Sequence, residues 1–315
     1  MIADRELVDA AAALRGVAVR TPLVWIEPLQ AHLKLESRQP MGAFKLRGAY
    51  NAVRKLPEAA RARGVITFSS GNHGQAVAFA AQRFGVRAVI VMPETAPRVK
   101  VEGVKRWRGE VVFAGRTSED RRLAALELAA RDALAVIPPF DHPDVIAGQA
   151  TVALEIVEDL PDVAMVVVPV GGGGLISGVV RGLAAAGTRA RVVGVEPAGA
   201  PKLTRSLAAG RPVTLERAAS IADGLITLSV GTMPFDVLRA HRDRLAGVVT
   251  VGDDSIRDAV HFLHRECGLV VEPSGAATTA ALRAGALQPF AQLPMVLVVS
   301  GGNVDPAELE DRNRP

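Results

Sequence analysis

Lys45 is the residue of this chain best suited to covalent chemistry, and it lies in the segment Gly42-Ala43-Phe44-Lys45-Leu46-Arg47-Gly48-Ala49. It is one of only six lysines among 37 basic residues. A neutral lysine amine forms a reversible imine with an aldehyde, whereas the guanidinium of arginine stays protonated and cannot do so. The segment therefore predicts a Schiff-base lysine at the start of a helix.

Four consecutive glycines, Gly171 to Gly174, follow an apolar strand-like run and precede a helical pattern. Because they lack Cβ atoms, successive backbone N–H groups can converge on one anion at a helix start, which indicates a phosphate site. The loop lacks the Gly-Lys-Ser/Thr ending of a nucleoside-triphosphate loop. A dinucleotide site is the rival interpretation, since Gly172, Gly174 and Gly178 approximate the Rossmann fingerprint and Glu196 ends the next strand.

Two further polar turns end predicted strands. The first, Ser69-Ser70-Gly71-Asn72-His73, offers hydroxyls, an amide and free N–H groups at a helix start, which suit a carboxylate. The second, Ser300-Gly301-Gly302-Asn303, offers a neutral hydroxyl that can face a heteroaromatic nitrogen without protonating it. These turns and the glycine quartet favour a functional Lys45 over a merely solvated one.

Short apolar, β-branched runs alternate with helical patterns along most of the chain. This alternation predicts an α/β fold with parallel sheets that helices cover on both faces. In such sheets ligands bind beyond the carboxyl ends of the strands, where the glycine quartet and the polar turns fall. The predicted strands are Val65–Phe68, Ala88–Met92, Glu110–Phe113, Ala164–Val168, Arg191–Val195, Val248–Val251 and Met295–Val299.

Composition sets the broad class of the protein. A length of 315 residues with 49% apolar residues indicates a globular chain with one large or two smaller cores. The net charge of +4 comes from scattered arginines, and with one tyrosine there is no aromatic–basic pattern, so nucleic-acid binding is not expected. A single cysteine, Cys267, suits a reducing compartment. No secretory signal or membrane span is evident, and we expect a soluble cytoplasmic protein.

In this order the segments resemble the fold-type II pyridoxal-phosphate enzymes and, within them, the threonine/serine dehydratase and serine racemase family. The resemblance runs from Arg20 to Asn303 and rests on the Phe44-Lys45-Leu46-Arg47-Gly48-Ala49 and Ser-Gly-Asn-His motifs. It implies a fold similar to the tryptophan synthase β subunit, with two open twisted sheets and helices on both faces. It also implies a large cofactor-binding domain of residues 1–53 and 143–315, a small mobile domain of residues 54–142, and a homodimer.

The resemblance implies a role for each matching residue. Lys45 would carry the Schiff base to pyridoxal 5'-phosphate, and Phe44 would lie beside the cofactor ring. Asn72 would bond the ring hydroxyl, and Ser300 would meet the pyridine nitrogen. The residues implied to hold the phosphate are Gly171, Gly172, Gly173 and Gly174, with Leu175 next to them. The residues implied to bind the substrate carboxylate are Ser69, Gly71, Asn72 and His73.

The implied reaction is dehydration of a β-hydroxy amino acid such as L-threonine or L-serine to a 2-oxoacid and ammonia, in which Lys45 removes the α-proton. Ser70 matches the serine that related racemases use as a second acid/base, so amino-acid racemisation is an alternative activity. Hydroxyaspartate is an alternative substrate. Animal serine racemases have an asparagine at the position of Phe140, whereas this chain has a phenylalanine there, as many dehydratases do. This residue favours dehydration.

The sequence departs from the family pattern at Lys202. Serine racemases bind a divalent cation through a glutamate, a backbone carbonyl and an aspartate. Glu196 and Ala200 match the first two ligands, but Lys202 replaces the aspartate. Because an ammonium group cannot ligate a metal ion, no divalent metal is expected, and Lys202 is predicted to pair with Glu196 instead.

Two functions of other classes stay open. A nicotinamide-dependent oxidoreductase would use the Gly172 loop and Glu196, but it gives Lys45 and the Ser-Gly-Asn-His turn no role. A non-catalytic amino-acid sensor would keep the pockets without the chemistry, and the presence of both Lys45 and Ser70 argues against it. In each case the expected ligand is a small molecule.

Overall fold

The β-branched runs of the sequence form the strands of two sheets within the described residues, and the patterns between them form helices. The structure is a computed structural model that describes residues 2–69, 71–115, 118–290, 292–305 and 309, with the backbone alone at residue 118. The strands are β1 (Leu23–Ile26), β2 (Ala31–Leu35), β3 (Val65–Phe68), β4 (Ala88–Met92), β5 (Glu110–Phe113), β6 (Ala135–Val136), β7 (Met165–Pro169), β8 (Arg191–Pro197), β9 (Leu245–Val251) and β10 (Met295–Val299). The helices are α1 (Asp4–Leu14), α2 (Lys45–Lys55), α3 (Glu58–Arg63), α4 (Asn72–Phe84), α5 (Arg98–Arg106), α6 (Ser118–Asp132), α7 (Pro143–Asp159), α8 (Gly174–Ala185), α9 (Lys202–Ala209), α10 (Thr232–Ala240), α11 (Asp253–Arg265) and α12 (Pro273–Arg283).

Both sheets are built mainly from parallel strands, as the alternation of strands and helices predicts. The larger sheet has the order β1-β2-β10-β7-β8-β9, and its one antiparallel pair is β1 with β2. The smaller sheet has the order β5-β4-β3-β6 and is parallel throughout. The strands of the smaller sheet all come from residues 65–136, whereas the larger sheet uses strands from either side of that segment.

Helices cover both faces of the larger sheet. Along β7, Met165 and Val167 pack into one apolar cluster with α11 and α12, while Val166 and Val168 pack into another with α7 and α8. Neighbouring residues of a strand point to opposite faces, so these two clusters lie on opposite sides of the sheet. The two-sided burial predicted for the parallel strands is therefore confirmed.

A network of buried charges ties β2, α2 and α7 together. The Arg47 guanidinium donates to both carboxylate oxygens of Glu36, at 2.8 and 2.7 Å, and to Glu155 at 2.6 Å. Lys34, which is fully buried on β2, donates to Glu155 at 2.7 Å and to the Thr21 carbonyl at 2.8 Å. The network fixes the helix that begins with Lys45 against β2 and α7.

The carboxyl ends of both sheets carry the polar turns singled out in the sequence. Ser69 follows β3 and Gly71 precedes α4, the glycine quartet follows β7 and leads into α8, and Ser300 follows β10. Parallel strands bring these ends to one edge of each sheet. In the parts of the chain that the structure describes, no helix is long and apolar enough to cross a membrane.

Candidate active site

Lys45 lies at the first position of α2, where the end of β10 holds the chain. The Phe44 N–H donates to the Ser300 carbonyl at 3.1 Å, and Ala43 forms an isolated antiparallel bridge with Gly301. The Lys45 ammonium donates to the Pro139 carbonyl at 2.8 Å and lies 5.2 Å from the centre of the Phe44 ring. Lys45, Phe44 and Ser300 are thus brought together at one point.

The environment of Lys45 favours its neutral amine. The side chain is half-buried, protein atoms surround its amine closely, and no carboxylate pairs with it in the described residues. Desolvation lowers the pKa of Lys45 to about 8. An amine with such a pKa can act both as a nucleophile and as a base near neutral pH.

Ser69 and Gly71 precede the start of α4. The Gly71 N–H donates to the Ser69 hydroxyl at 3.1 Å, and α4 begins at Asn72. The first N–H groups of a helix have no partner within the helix, so they remain free to meet an anion. Ser70 lies outside the described residues, and its role as a second acid/base stays a prediction.

His73 is buried and neutral. Its Nε2 lies 3.0 Å from the Ile137 carbonyl, and no hydrogen-bond partner reaches Nδ1 among the described residues. Desolvation, together with the positive charge of Lys45, lowers the pKa of His73 to about 3. The ring is therefore held against Ile137, and the backbone N–H of His73 is the group better placed to receive a carboxylate.

The Asn72 side chain is fixed from both sides. Its Oδ1 accepts a hydrogen bond from Asn303 Nδ2 at 2.9 Å, and its Nδ2 donates to Glu272 Oε1 at 2.5 Å. The Ser300 hydroxyl points to the Ser274 carbonyl at 3.5 Å. Asn72 and Ser300, which the sequence places more than two hundred residues apart, thus share the end of β10.

The glycine quartet lies against Phe140 and Gly224. A Cβ on Gly172 would fall 2.3 Å from the Phe140 ring, and a Cβ on Gly171 would fall 2.8 Å from the Gly224 carbonyl. Gly173 has a φ of +91° and caps α8, a conformation that side chains rarely adopt. The loop therefore needs glycine for close packing and for its backbone turn. Phe140 directly follows Pro139, whose carbonyl accepts the hydrogen bond from Lys45. The glycine quartet and Lys45 therefore contact neighbouring residues of the same segment.

Leu175 is buried in the apolar cluster between α8 and the larger sheet, and the Phe44 ring packs against the same cluster. Its side chain therefore anchors the helix that follows the glycine quartet. The group it can offer to a ligand is its backbone N–H, since it lies in the first turn of α8.

Lys202 is an internal cation with three oxygen partners. Its Nζ donates to the Val170 carbonyl at 2.8 Å and the Ala200 carbonyl at 3.0 Å, and it lies 3.1 Å from Glu196 Oε1. Both charged side chains are fully buried. Desolvation lowers the pKa of Lys202, and the Glu196 charge opposes that effect.

In a dinucleotide site Glu196 would bind a ribose hydroxyl, but its carboxylate is already engaged. Its carboxylate accepts hydrogen bonds from the Leu203 N–H at 2.7 Å and from the Thr204 N–H at 2.9 Å, besides pairing with Lys202. A fully buried carboxylate with these partners is not free to bind a ribose. The structure therefore disfavours the dinucleotide interpretation of the glycine quartet.

The sequence reasoning missed a cluster of charges beside the site. Lys100 of α5 lies across Gly71 and forms an ion pair with Asp223, and Glu272 contacts Asn72. The available signal was a carboxylate at the end of an apolar run, Leu269-Val270-Val271-Glu272, immediately before a Pro-Ser-Gly helix start.

Comparisons with known proteins agree with this geometry. A family model described as pyridoxal-phosphate dependent enzyme matches residues 14–301. An L-threonine ammonia-lyase of Thermotoga maritima is 38% identical over 311 residues, which cover 97% of this chain and 76% of that protein. An L-threo-3-hydroxyaspartate ammonia-lyase of Saccharomyces cerevisiae is 38% identical over 310 residues, which cover 95% and 93%. The solved structure of maize serine racemase superposes with a TM-score of 0.92 at 34% identity, covering 98% and 96%.

Proposed function

Since this chain belongs to the pyridoxal-phosphate-dependent enzyme family, we propose that it is an ammonia-lyase that converts a β-hydroxy amino acid such as L-threonine or L-serine to a 2-oxoacid and ammonia. The observation that carries the proposal is the half-buried Lys45 with its lowered pKa, beside the glycine quartet and the end of β10. The relatives named as ammonia-lyases support it.

The residues at this site fit the cofactor of the family. The glycine quartet leaves no room for side chains, and the N–H groups at the start of α8 have no partner within the helix, as a phosphate site requires. Lys45 offers an amine for an aldehyde, and Ser300 offers a neutral hydroxyl for a pyridine nitrogen. When bound, pyridoxal phosphate would supply an electron-withdrawing ring that takes up the charge left when a bond at the α-carbon breaks.

Each residue of the site has a part in this proposal. The glycines Gly171 to Gly174, with Leu175, would hold the phosphate, Asn72 the ring hydroxyl, and Phe44 one face of the ring. The N–H groups at the start of α4 would orient the substrate carboxylate, together with Ser69. Lys45 Nζ would take the α-proton of the substrate, because its amine is partly neutral near pH 7.

Amino-acid racemisation is the second candidate. It requires an acid on the opposite face of the ring from Lys45, and Ser70 is the residue proposed for that part. The likeness to maize serine racemase supports it, whereas the Phe140 ring against the glycine quartet follows the pattern of many dehydratases.

The direct test is to supply the purified protein with pyridoxal phosphate and measure 2-oxoacid and ammonia from L-threonine, L-serine and L-threo-3-hydroxyaspartate. We expect equal amounts of the two products from at least one substrate. Formation of D-serine from L-serine without 2-oxoacid would show that the activity is racemisation and not dehydration. No turnover of any of them in the cofactor-loaded protein would contradict both activities.

Cofactor uptake is expected to speed up with pH. The neutral amine is the form that attacks the aldehyde, and with a pKa of about 8, about a tenth of Lys45 is neutral at pH 7 and about nine-tenths at pH 9. The initial rate of pyridoxal phosphate incorporation into the cofactor-free protein should therefore rise about tenfold between these pH values. Stopped-flow absorbance measures this rate, and a rate that is flat over this range would contradict a neutral-amine requirement at Lys45.

We propose that the enzyme works without a divalent metal, because Lys202 supplies a positive charge within the chain. EDTA is expected to leave both activity and cofactor affinity unchanged. Lys202→Ala is expected to destabilise the fold by about 3–5 kcal/mol, since it leaves Glu196 buried without its partner. Urea denaturation checks this, with the exposed Lys105→Ala as control. Loss of wild-type activity in EDTA and its return with magnesium would overturn the proposal.

We further propose that residues 54–142 form a small domain that closes over the substrate, and that residues 1–53 and 143–315 form the large cofactor-binding domain. All four strands of the smaller sheet come from residues 54–142, which supports this division. Lys100 of the small domain forms an ion pair with Asp223 of the large domain. Solution X-ray scattering with and without substrate analogue would test the closure.

A homodimer in the cytoplasm completes the proposal. The partly exposed Val24 and Trp25 on the edge strand β1 support self-association, and the single free Cys267 suits a reducing compartment. Light scattering of the purified protein would test the dimer, and a monomer at micromolar concentration would contradict it.

A further inference from the structure

Glu272 is a buried carboxylate at the edge of the site. It lies immediately before α12 and is 2% exposed, and its own N–H donates to the Gly301 carbonyl at 3.2 Å. Oε1 accepts the hydrogen bond from Asn72 Nδ2. No hydrogen-bond partner reaches Oε2 among the described residues. A buried carboxylate oxygen without a partner is costly, so its presence beside a site calls for a functional explanation.

Glu272 lies against the backbone that follows β10. A Cβ on Gly301 would fall 2.2 Å from Glu272 Oε1 and 3.1 Å from Asn72 Nδ2. Gly301 directly follows Ser300, so Glu272 and Asn72 meet next to the residue proposed for the pyridine nitrogen. A side chain at position 301 would separate Glu272 from Asn72.

The contact fixes the orientation of the Asn72 amide. Asn303 Nδ2 donates to Oδ1 from one side, and Glu272 accepts from Nδ2 on the other. An ionised carboxylate can only accept hydrogen bonds, so it requires the amide to present Nδ2 towards it. One N–H of that amide then remains for a ligand.

Two charged groups face Glu272 from other elements. Lys100, on α5, favours the ionised carboxylate, and Asp223, which is paired with Lys100, disfavours it. Burial is the largest influence and raises the pKa of Glu272 to about 7. The carboxyl group therefore gains or loses its proton within the pH range in which the enzyme would work.

We propose that Glu272 is a positioning residue that holds the Asn72 amide towards the cofactor ring, and that its loss or gain of a proton changes the charge at that edge of the ring. The inference rests on the proposed function. It predicts that the electronic state of the bound cofactor responds to a group that does not itself touch substrate.

The test is a pH titration of the visible absorption of the cofactor-loaded protein without substrate. In the wild type we expect a spectral transition near pH 7. Glu272→Gln keeps an acceptor for Asn72 and stays neutral, so the transition should vanish while cofactor is retained. Glu272→Ala removes the acceptor as well, and the dissociation constant for pyridoxal phosphate should rise at least about tenfold, as for a lost hydrogen bond to a charged group.

Two variants that leave Glu272 in place should shift the pH of the spectral transition in opposite directions. Lys100→Met removes the charge that favours the carboxylate, so the transition should move to higher pH. Asp223→Asn removes the charge that disfavours it, so the transition should move to lower pH.

The outcomes separate this inference from the proposed function. A transition in Glu272→Gln that matches the wild type, or wild-type cofactor affinity in Glu272→Ala, overturns the role of Glu272 alone. If the wild type forms no absorbing complex with pyridoxal phosphate, the proposed function fails first, and this inference falls with it.

Discussion

Replacing Lys45 with alanine is expected to lower the rate of 2-oxoacid formation by at least about a thousandfold, because one amine serves as both nucleophile and base. Lys45 is the lysine at the start of α2, and Lys100, the lysine beside Gly71, is paired with Asp223. The measurement is the turnover rate with L-threonine or L-serine at saturating pyridoxal phosphate.

Two controls define the effect at Lys45. Lys45→Arg keeps the positive charge but cannot become a neutral amine, so it should be as inactive as Lys45→Ala. Lys105→Ala, an exposed lysine on α5, should keep activity within about twofold, since surface substitutions away from a site change little. Lys45→Ala with more than a tenth of wild-type turnover would contradict the assignment.

Replacing Arg47 with methionine is expected to reduce the free energy of unfolding by about 3–5 kcal/mol, because it leaves a buried carboxylate without its partner. Arg47 is 1% exposed and Glu36 is fully buried, and the guanidinium makes two hydrogen bonds to that carboxylate. Urea denaturation at pH 7 measures the loss. The matched control is Arg98→Met on α5, whose side chain is 91% exposed and whose loss should leave the urea midpoint nearly unchanged.

The ion pair between Arg47 and Glu36 also predicts how the free energy of unfolding depends on pH. Burial alone would raise the pKa of Glu36, but the charge and hydrogen bonds of Arg47 outweigh it and hold the pKa below its ordinary value of 4.5. The folded state therefore binds this proton less readily than the unfolded chain, so the stabilisation is present above pH 4.5 and is lost as pH falls through the folded pKa. In Arg47→Met this lowering influence is absent and burial raises the pKa of Glu36, so the acid-dependent loss should disappear and the stability difference between the two proteins should shrink as pH falls. A difference in unfolding free energy that stays constant from pH 7 to pH 4 would contradict the account of the pair.

Much of the fold could be predicted from the sequence, because buried parallel strands are short β-branched runs. The runs that gave β3, β4, β5 and β10 match the observed bounds, those for β8 and β9 differ by two or three residues at one end, and that for β7 is shifted by one residue. Strands β1, β2 and β6 were not predicted. The segment of β2, Ala31–Leu35, contains His32 and Lys34, and the buried Lys34 pairs with Glu155, which lies far along the chain.

The candidate site could be predicted in part. Motifs point to residues such as Lys45 and the glycine quartet, since their chemistry is local to one turn, and the family that they suggested is confirmed. The individual roles stay predictions. Glu272 was missed because its contact with Asn72 joins residues 200 positions apart, and no local pattern indicates such a contact. Ser70 lies outside the described residues, so its part in racemisation depends on experiment.

The most direct test of the account is to load the protein with pyridoxal phosphate, reduce it with borohydride, and locate the modified lysine by peptide mass spectrometry. Reduction makes an imine permanent, so the label marks the residue that forms it. The account predicts the label on the peptide that contains Lys45 and no label in Lys45→Ala. A label on another lysine, which can only be Lys34, Lys55, Lys100, Lys105 or Lys202, or no label at all, would contradict it.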